Sequence, residues 1–282
     1  MKKNLIACVT CFSILASTSL NIVQAKEITN NESNKPKIQY IDKTPFLNRF
    51  KEEDKEAGYS DFYKNLNPND KNFNKKFKNF ANKLDKLNKK DGLENTFDIK
   101  RINESKDLKN DGSINLGSSS GGGTYRNSLN MSRVLDGSTL LVNNPGKHAQ
   151  GAIQHCGMLD KQKYNGESSG CILTAEPNYG VIYESPNHFR EFNECWSLVY
   201  TARETYDADQ QAYAVRYARK FFGHIYLLTA LKSGDNLWYC SKVPYRAILD
   251  KCGTDIDTNG GYYCLPVDIL ESHQMEITSY WN

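Results

Sequence analysis

In the stretch "LWYCSKVPYRAI" (237–248), Cys240 stands between Tyr239 and Ser241 at the start of a segment with helical character. A thiol attacks as its thiolate, and a helix N-terminus favours that form because its free N–H groups and macrodipole both favour negative charge. Pro244 supports the placement, since proline is tolerated in the first turn, where its missing N–H costs nothing, and not deeper. The spacing puts Cys240 one residue inside the helix, with its own N–H turned outward toward an oxyanion. A nucleophile of this kind needs a base nearby. On local context alone, Cys240 reads first as a small buried hydrophobe, as free cysteines commonly are.

The base must come from five histidines. His155 is the best placed, in mid-strand among apolar residues and followed by Cys156 and Gly157. Strand neighbours face opposite ways, so His155 can face a site while Cys156 faces the core, and Gly157 would leave room beside His155. A satisfied core histidine is the plainer alternative. His148, His188, His224 and His273 fall in or near loops. The mature chain has no C-x-x-C or H-x-x-x-H spacing, so neither a metal site nor a cofactor is expected.

These residues need elements to position them. "STLLVNN" (138–144), "GAIQHCGML" (151–159), "GCILTAEP" (170–177) and "GVIYES" (180–185) read as strands. Residues 204–223 read as a helix with Asp207 or Asp209 as N-cap and Gly223 as stop, burying Ala212, Val215, Ala218 and Phe222. Residues 225–230 form a short element or extend a helix. Residues 239–253 are the nucleophile's helix, ending at Gly253, and 265–273 hold a Pro-initiated turn. Cys252 and Cys264 flank a turn at Asn259-Gly260-Gly261 that makes a local disulfide easy, and Cys171 and Cys195 are a second candidate pair.

The rest of the chain frames this domain. Lys2 and Lys3, the apolar stretch Leu5–Leu20 and small residues up to Ala25 read as a secretory signal peptide over 1–25. That leader is too short and too interrupted by Ser and Thr for a membrane span, and no second run is long enough to cross a bilayer. Export to an oxidising compartment is the expectation, with all six mature cysteines in the second half. Residues 26–110 carry 20 Lys/Arg against 15 Asp/Glu, and 111–282 carry 14 against 18. Neither half is basic enough for nucleic acid, and no aromatic-basic recognition motif is present. In 26–110, Phe73, Phe77, Phe80, Leu84 and Leu87 lie on one helical stripe with Asp70 as N-cap, and Phe46, Leu47 and Phe50 suggest a shorter helix. This is a charged, partly helical extension, either a propeptide or arm over the catalytic domain or a solvated appendage. "GSSSGGG" within 111–124 reads as a flexible linker, with no Lys-Ser/Thr ending to cradle a phosphate.

In order, "STLLVNN", "GAIQHCGML", "ILTAEPNYGVIYES", "GHIYLLTALKSGDNLWYCSKVPYRAI" and "LPVDILES" resemble the YiiX-like branch of the NlpC-type cysteine hydrolases. The resemblance covers about 135–273 and rests on order and spacing, with no single strong motif. It implies an α+β, circularly permuted papain-like domain over 125–282, with an antiparallel sheet and packed helices. It further implies Cys240 as nucleophile, His155 as general base and Glu176 as the third, orienting residue, although "Ala-Glu" stands where that pattern has "Glu-Ala" and a one-residue shift reverses the facing. Lys242 replaces an acidic residue and should alter pocket charge. Tyr226 matches a pocket-lining aromatic, and Tyr239 belongs to the same aromatic segment.

The function expected is a secreted cysteine peptidase or amidase acting on a peptide or acyl substrate, first of all cell-wall peptide amides of peptidoglycan. Lipid acyl hydrolysis or transfer is the second class, and a non-catalytic binding or effector protein that keeps the fold is the third.

Overall fold

A computed structural model of the chain describes residues 25–26, 38–90, 124–147, 151–177, 179–202 and 205–282. The signal peptide up to residue 24, nearly all of the Ser/Gly linker, and His148 lie outside them. Within the described residues the strands are β1 Ala25–Lys26, β2 Tyr40–Ile41, β3 Thr139–Asn143, β4 His155–Leu159, β5 Ile172–Glu176 and β6 Gly180–Glu184. They continue as β7 Glu194–Ala202, β8 Thr205–Tyr206, β9 Ile225–Tyr226, β10 Leu237–Trp238 and β11 Met275–Trp281. Nine of them form one antiparallel sheet in the order β1-β2-β11-β7-β3-β4-β5-β6, with β8 on β7, while β9 and β10 make a separate parallel pair. The helices are α1 Thr44–Ala57, α2 Tyr59–Asn65, α3 Phe73–Lys90, α4 Pro186–Arg190, α5 Ala208–Ala218, α6 Lys242–Cys252 and α7 Pro266–Glu271. The expected α+β class with an antiparallel sheet and packed helices is what the chain adopts.

Both faces of the central strands are covered, which is why β3, β4 and β7 read as continuous apolar runs. On one face Leu141, Cys156, Met158, Leu173, Trp196 and Leu198 meet Val215 and Ala218 of α5 and Val243, Ala247 and Ile248 of α6. On the other, Leu140, Val142, Leu159 and Ile172 meet Leu129, Met131, Val134 and Phe189.

The N-terminal extension is built into this core. Ile41 of β2 pairs with Ile277 of β11. Lys43 Nζ donates to the carbonyls of Ser272 and Met275, both at 2.7 Å. Phe46 and Phe50 pack on the Trp196 ring at 5.6 and 5.9 Å between centroids. Arg49 meets Glu194 with two parallel 2.7 Å hydrogen bonds, the fork geometry that makes such pairs strong. The helical stripe holds, with Phe77, Phe80 and Leu84 buried along α3. Asp70 does not cap α3 through its side chain. Its carboxylate takes the Asn72 N–H at 2.8 Å, in a turn just before the helix.

Several boundaries shift for local reasons. β4 starts only at His155, because residues 151–154 form an irregular approach. α5 starts at Ala208, where the Asp207 side chain accepts from the amides of Asp209 and Gln210. Residues 225–226 become β9, and the turn expected at 265–273 is the helix α7, opened by Pro266. All six described cysteines are free thiols. The Cys252–Cys264 pair does not form: the two thiols face different carbonyls, of Gln210 and of Leu265. The Cys171–Cys195 pair does not form either, since both pack as hydrophobes in the second core.

Candidate active site

Cys240 lies where β10 ends and α6 begins. The helix closes at its N-terminus through Val243 N–H to Cys240 O and Tyr245 N–H to Ser241 O, so Cys240 precedes the first helical residue, Lys242, by two positions rather than sitting inside the helix. Pro244 is the third helical residue, where an amide hydrogen would have no intrahelical partner. Ser241 is fixed by donating its hydroxyl to Cys264 O at 2.7 Å.

His155 is the first residue of β4, and its strand is held by β3, where Val142 pairs with it. Between β4 and β5 the pairing runs through Met158–Leu173 and Leu159–Ile172. Continued antiparallel, that register sets His155 across from Glu176 at the strand ends, and Cys240 approaches there. His155 and Cys240 are close enough for each to shift the other's pKa. The Nε2 of His155 lies 3.2 Å from Glu176 Oε1, 3.1 Å from Glu184 Oε2 and 3.4 Å from Thr174 Oγ1. Cys240, His155 and Glu176 are therefore brought together.

Glu184 is the residue that sequence reasoning missed. It ends β6, is fully buried, and also stands 3.8 Å from His188 Nε2. Its Oε1 has no hydrogen-bond partner among the described residues. The available signal was a carboxylate inside the apolar run "GVIYES", because buried carboxylates are rare unless paired.

The electrostatics divide these groups. Hydrogen bonding from the Cys156 thiol, opposed by burial and joined by the hydrogen bond and charge of His155, holds the Cys240 thiol well below its ordinary pKa. Burial works against a charged imidazole at His155, but the charges of Glu184 and Glu176 outweigh it and hold its pKa well above 6.5. Burial also pushes Glu184 up, yet His155 and His188 keep it below the ordinary carboxylate value. Glu176 has one histidine and a like charge beside it, so burial pushes it up to about 8. The shifts favour charge on Cys240, His155 and Glu184 and disfavour it on Glu176.

The surrounding residues meet some of these expectations and not others. Tyr226 is buried next to Cys240 and Glu176, each of which raises its pKa beyond the effect of burial. Tyr239 is buried, and its hydroxyl accepts the Cys264 N–H at 3.0 Å. Lys242 does not set pocket charge. It is buried and its Nζ donates to the carbonyls of Leu231 and Leu237 at 2.7 and 2.8 Å, tying down the loop before β10. Gly157 leaves no room for substrate, since a Cβ there would sit 2.6 Å from Ile172 Cγ2 and 3.2 Å from Phe189. Cys156 does face the apolar core, in the same buried cluster as Cys240.

The site is covered. Cys240 is 4% and His155 5% exposed. Tyr63 of α2 is buried close enough to Cys240 and Tyr263 to feel both charges, and its hydroxyl has no partner among the described residues. His155, Glu176 and Glu184 also place one donor atom each within 4.8 Å of one another, close enough to hold a metal ion.

No protein-family model matches the chain, and no curated protein matches it. Among solved structures, the fold is similar to the crystal structure of the metalloprotein yiiX from Escherichia coli O157:H7, with 13% identity and a TM-score of 0.41. The match covers 52% of this chain and 97% of the other. No described helix is long and apolar enough to cross a membrane.

Proposed function

We propose that the chain is an exported cysteine hydrolase of the NlpC type, with a permuted papain-like domain, cutting amide bonds of cell-wall peptides. The observation that carries this reading is a thiol and an imidazole in contact at the ends of a helix and a strand, with buried carboxylate behind the imidazole. The Cys240 thiolate attacks the carbonyl carbon, and the C–N bond breaks as protonated His155 gives its proton to the leaving amine. Water, deprotonated by His155, then releases the acid and regenerates the thiol. Glu184 orients His155 through Nε2 and stabilises its charged form. Tyr226 lines the pocket.

Two tests decide it. Iodoacetamide should label Cys240 rapidly, with a rate that falls in His155→Ala. Purified peptidoglycan fragments and phospholipids, incubated with the mature protein and analysed by mass spectrometry, distinguish amide cleavage from acyl hydrolysis or transfer. Cys240→Ala and His155→Ala should each abolish turnover with the circular dichroism spectrum unchanged. Near-full activity in either variant removes the mechanism, and an inert Cys240 leaves a binding or effector protein on a hydrolase fold.

A second reading rests on the His155, Glu176 and Glu184 donors, which would suit zinc with an activated water. Under that reading a chelator abolishes turnover and Cys240→Ala spares it. The thiol reading requires the opposite pair of results.

A further inference from the structure

Seven of the 18 residues of α3 are lysine and only one, Asp85, is acidic. Every exposed residue of the helix is lysine or asparagine, and Asp85 is half-buried. Three of the lysines have structural partners. Lys76 meets Asp70 at 2.6 Å, Lys90 meets Glu56 at 3.4 Å, and Lys83 donates to the Ala57 carbonyl at 2.6 Å. Lys75, Lys78, Lys86 and Lys89 have no ion pair or hydrogen bond among the described residues. At about 100° per residue these four fall within about 80° of the helix circumference, with Asn82 in the gap between them. The stripe lies opposite the buried Phe77, Phe80 and Leu84, and at about 1.5 Å per residue it runs about 21 Å.

This arrangement does not serve the helix itself. Lys75 and Lys76 stand in the first turn, where the macrodipole favours acids, and no acid is present there. Lys75 and Lys78, Lys83 and Lys86, and Lys86 and Lys89 are like charges three residues apart, and Lys86 and Lys90 are four apart. Such neighbours destabilise a helix. α1, by contrast, pairs its charges, Arg49 with Glu53 and Lys55 with Glu52. Solubility is met by interspersed charges of both signs. A stripe of one sign that weakens its own helix departs from local consistency, as functional surfaces do.

We propose that the stripe of Lys75, Lys78, Lys86 and Lys89 binds a linear phosphodiester polyanion, a polyol-phosphate polymer of the cell wall, and holds the chain against it. The choice of a wall polymer rests on the exported reading, while the stripe needs no hydrolase chemistry. Charge complementarity carries the choice of partner. Residues 111–282 hold 14 Lys/Arg against 18 Asp/Glu, so a polyanion repels the domain that contains the site, and 26–110 with 20 against 15 supplies the attraction. The stripe is straight and extended, which suits a row of phosphates better than one compact anion. A lysine ammonium meets phosphate as a point charge and demands no fixed register. Nothing apolar is exposed on α3 to enter an acyl layer, and the stripe has neither arginine nor an aromatic ring for reading or stacking bases. On its inner side Phe80 stacks on Phe62 of α2 at 3.8 Å between centroids. A polymer on the stripe therefore lies on the side of α3 turned away from α2, whose Tyr63 is buried near Cys240.

The test titrates the mature chain into dye-labelled, lipid-free poly(glycerol phosphate) and follows fluorescence anisotropy at several salt concentrations. Four contacts give a slope of log affinity against log salt of about −2.8, so affinity should fall on the order of 50-fold between about 50 and 200 mM salt. Lys75→Gln, Lys78→Gln, Lys86→Gln and Lys89→Gln together should weaken binding at least about tenfold and flatten the slope. Glutamine has nearly the helix propensity of lysine, so the fold is kept and Tm holds or rises. A control removes the same charge from exposed positions elsewhere, with Lys161→Gln, Lys163→Gln, Arg216→Gln and Lys220→Gln. Its affinity should stay within about twofold of wild type, because the stripe's contacts are untouched and more distant charges are screened. Unchanged affinity in the stripe variant, an equal loss in the control, or a flat salt slope in wild type overturns the proposal. Tighter binding to vesicles of equal parts phosphatidylglycerol and phosphatidylcholine, or to single-stranded DNA of equal charge, gives the face another partner and overturns it too. Binding is read without turnover. A chain that cleaves its substrate but does not bind the polymer sinks the stripe alone, and one that binds but cleaves nothing sinks the hydrolase reading alone.

Discussion

Replacing Glu184 by Gln keeps the side chain's shape and removes the negative charge behind His155. Two carboxylates reach the same ring nitrogen at nearly equal distance, 3.1 Å for Glu184 and 3.2 Å for Glu176, so distance alone does not say which one orients the base. Environment does: Glu184 is fully buried between two histidines, whereas the Glu176 side chain is 23% exposed and neutral up to about pH 8. Unit charges at the Glu184 distance attract by about 5 kcal/mol at an effective dielectric of about 20. Desolvation of Glu184 offsets part of that, and breaking buried pairs costs about 3–5 kcal/mol. Taking the low end of that range, about 3 kcal/mol, the expected fall in kcat/KM is on the order of 100-fold. The active form holds Cys240 as thiolate and His155 as imidazolium, so the acid limb of the pH profile belongs to the thiol and the alkaline limb to the imidazole. Without Glu184 the imidazole's limb moves down, and the bell narrows from its alkaline side. The assay is the iodoacetamide labelling rate of Cys240 against pH, with circular dichroism as the fold control. Glu176→Gln should leave the acid limb in place, because it replaces a group already neutral there. A narrowed bell in Glu176→Gln with an unchanged one in Glu184→Gln would refute the assignment.

Stability should respond with matching signs. His155 has a raised folded pKa, so its contribution is complete below about 6.5 and is lost as pH rises through that raised value. Glu184 is depressed, so its contribution is present above about 4.5 and is lost as pH falls through its folded value. The pair therefore stabilises most between roughly pH 4.5 and 6.5. Glu176 has the opposite sign: the unfolded chain ionises it from about 4.5 while the folded chain resists until about 8, so Glu176→Gln should raise Tm increasingly between those values. A Tm difference that is flat with pH would show that Glu176 ionises normally. Arg49→Ala leaves Glu194, only 6% exposed, with the Tyr280 hydroxyl as its remaining partner. A loss of about 2–4 kcal/mol is expected, visible as a Tm drop of roughly 5–10 °C, and a drop below about 2 °C would mean that the extension is not anchored there. Tyr63→Ala removes the ring beside Cys240, so labelling should quicken several-fold with its pH profile unmoved. A slower or unchanged rate would show that α2 does not cover the thiol.

The elements legible in the sequence are those whose pattern is local. The stripe from Phe73 to Leu87 repeats at helical spacing, Asp207 and Gly253 cap their helices, and the short runs at 139–143, 172–176 and 180–184 are bounded by turn residues. β7 and β11 have no counterpart among the sequence expectations, although β7 pairs with β3, β8 and β11. "ECWSLVYTA" is buried on both faces and shows no alternation, and a run without period does not distinguish strand from core helix. The extension was ambiguous because Arg49, Lys43 and Phe46 find partners at 194, 272 and 196. Nothing in their own segment encodes those contacts.

The site divides along the same line. Cys240 and His155 are marked by their immediate contexts, a helix start and an apolar strand, and each has a plain structural reading until the other is set beside it. Glu176 follows from the register between β4 and β5. Glu184 follows from neither. Strand alternation sends Cys156 away from His155, and it is right to do so within the sheet. It says less at the strand end, where the ladder stops and Cys240 approaches from outside the sheet. The same openness lets Glu184 of β6 reach a ring nitrogen already facing Glu176 of β5. Period-two reasoning assigns faces, and a site assembled where a ladder ends is not confined to one of them. Glu184 thus stands 3.1 Å from His155 although its local pattern assigns it to the core.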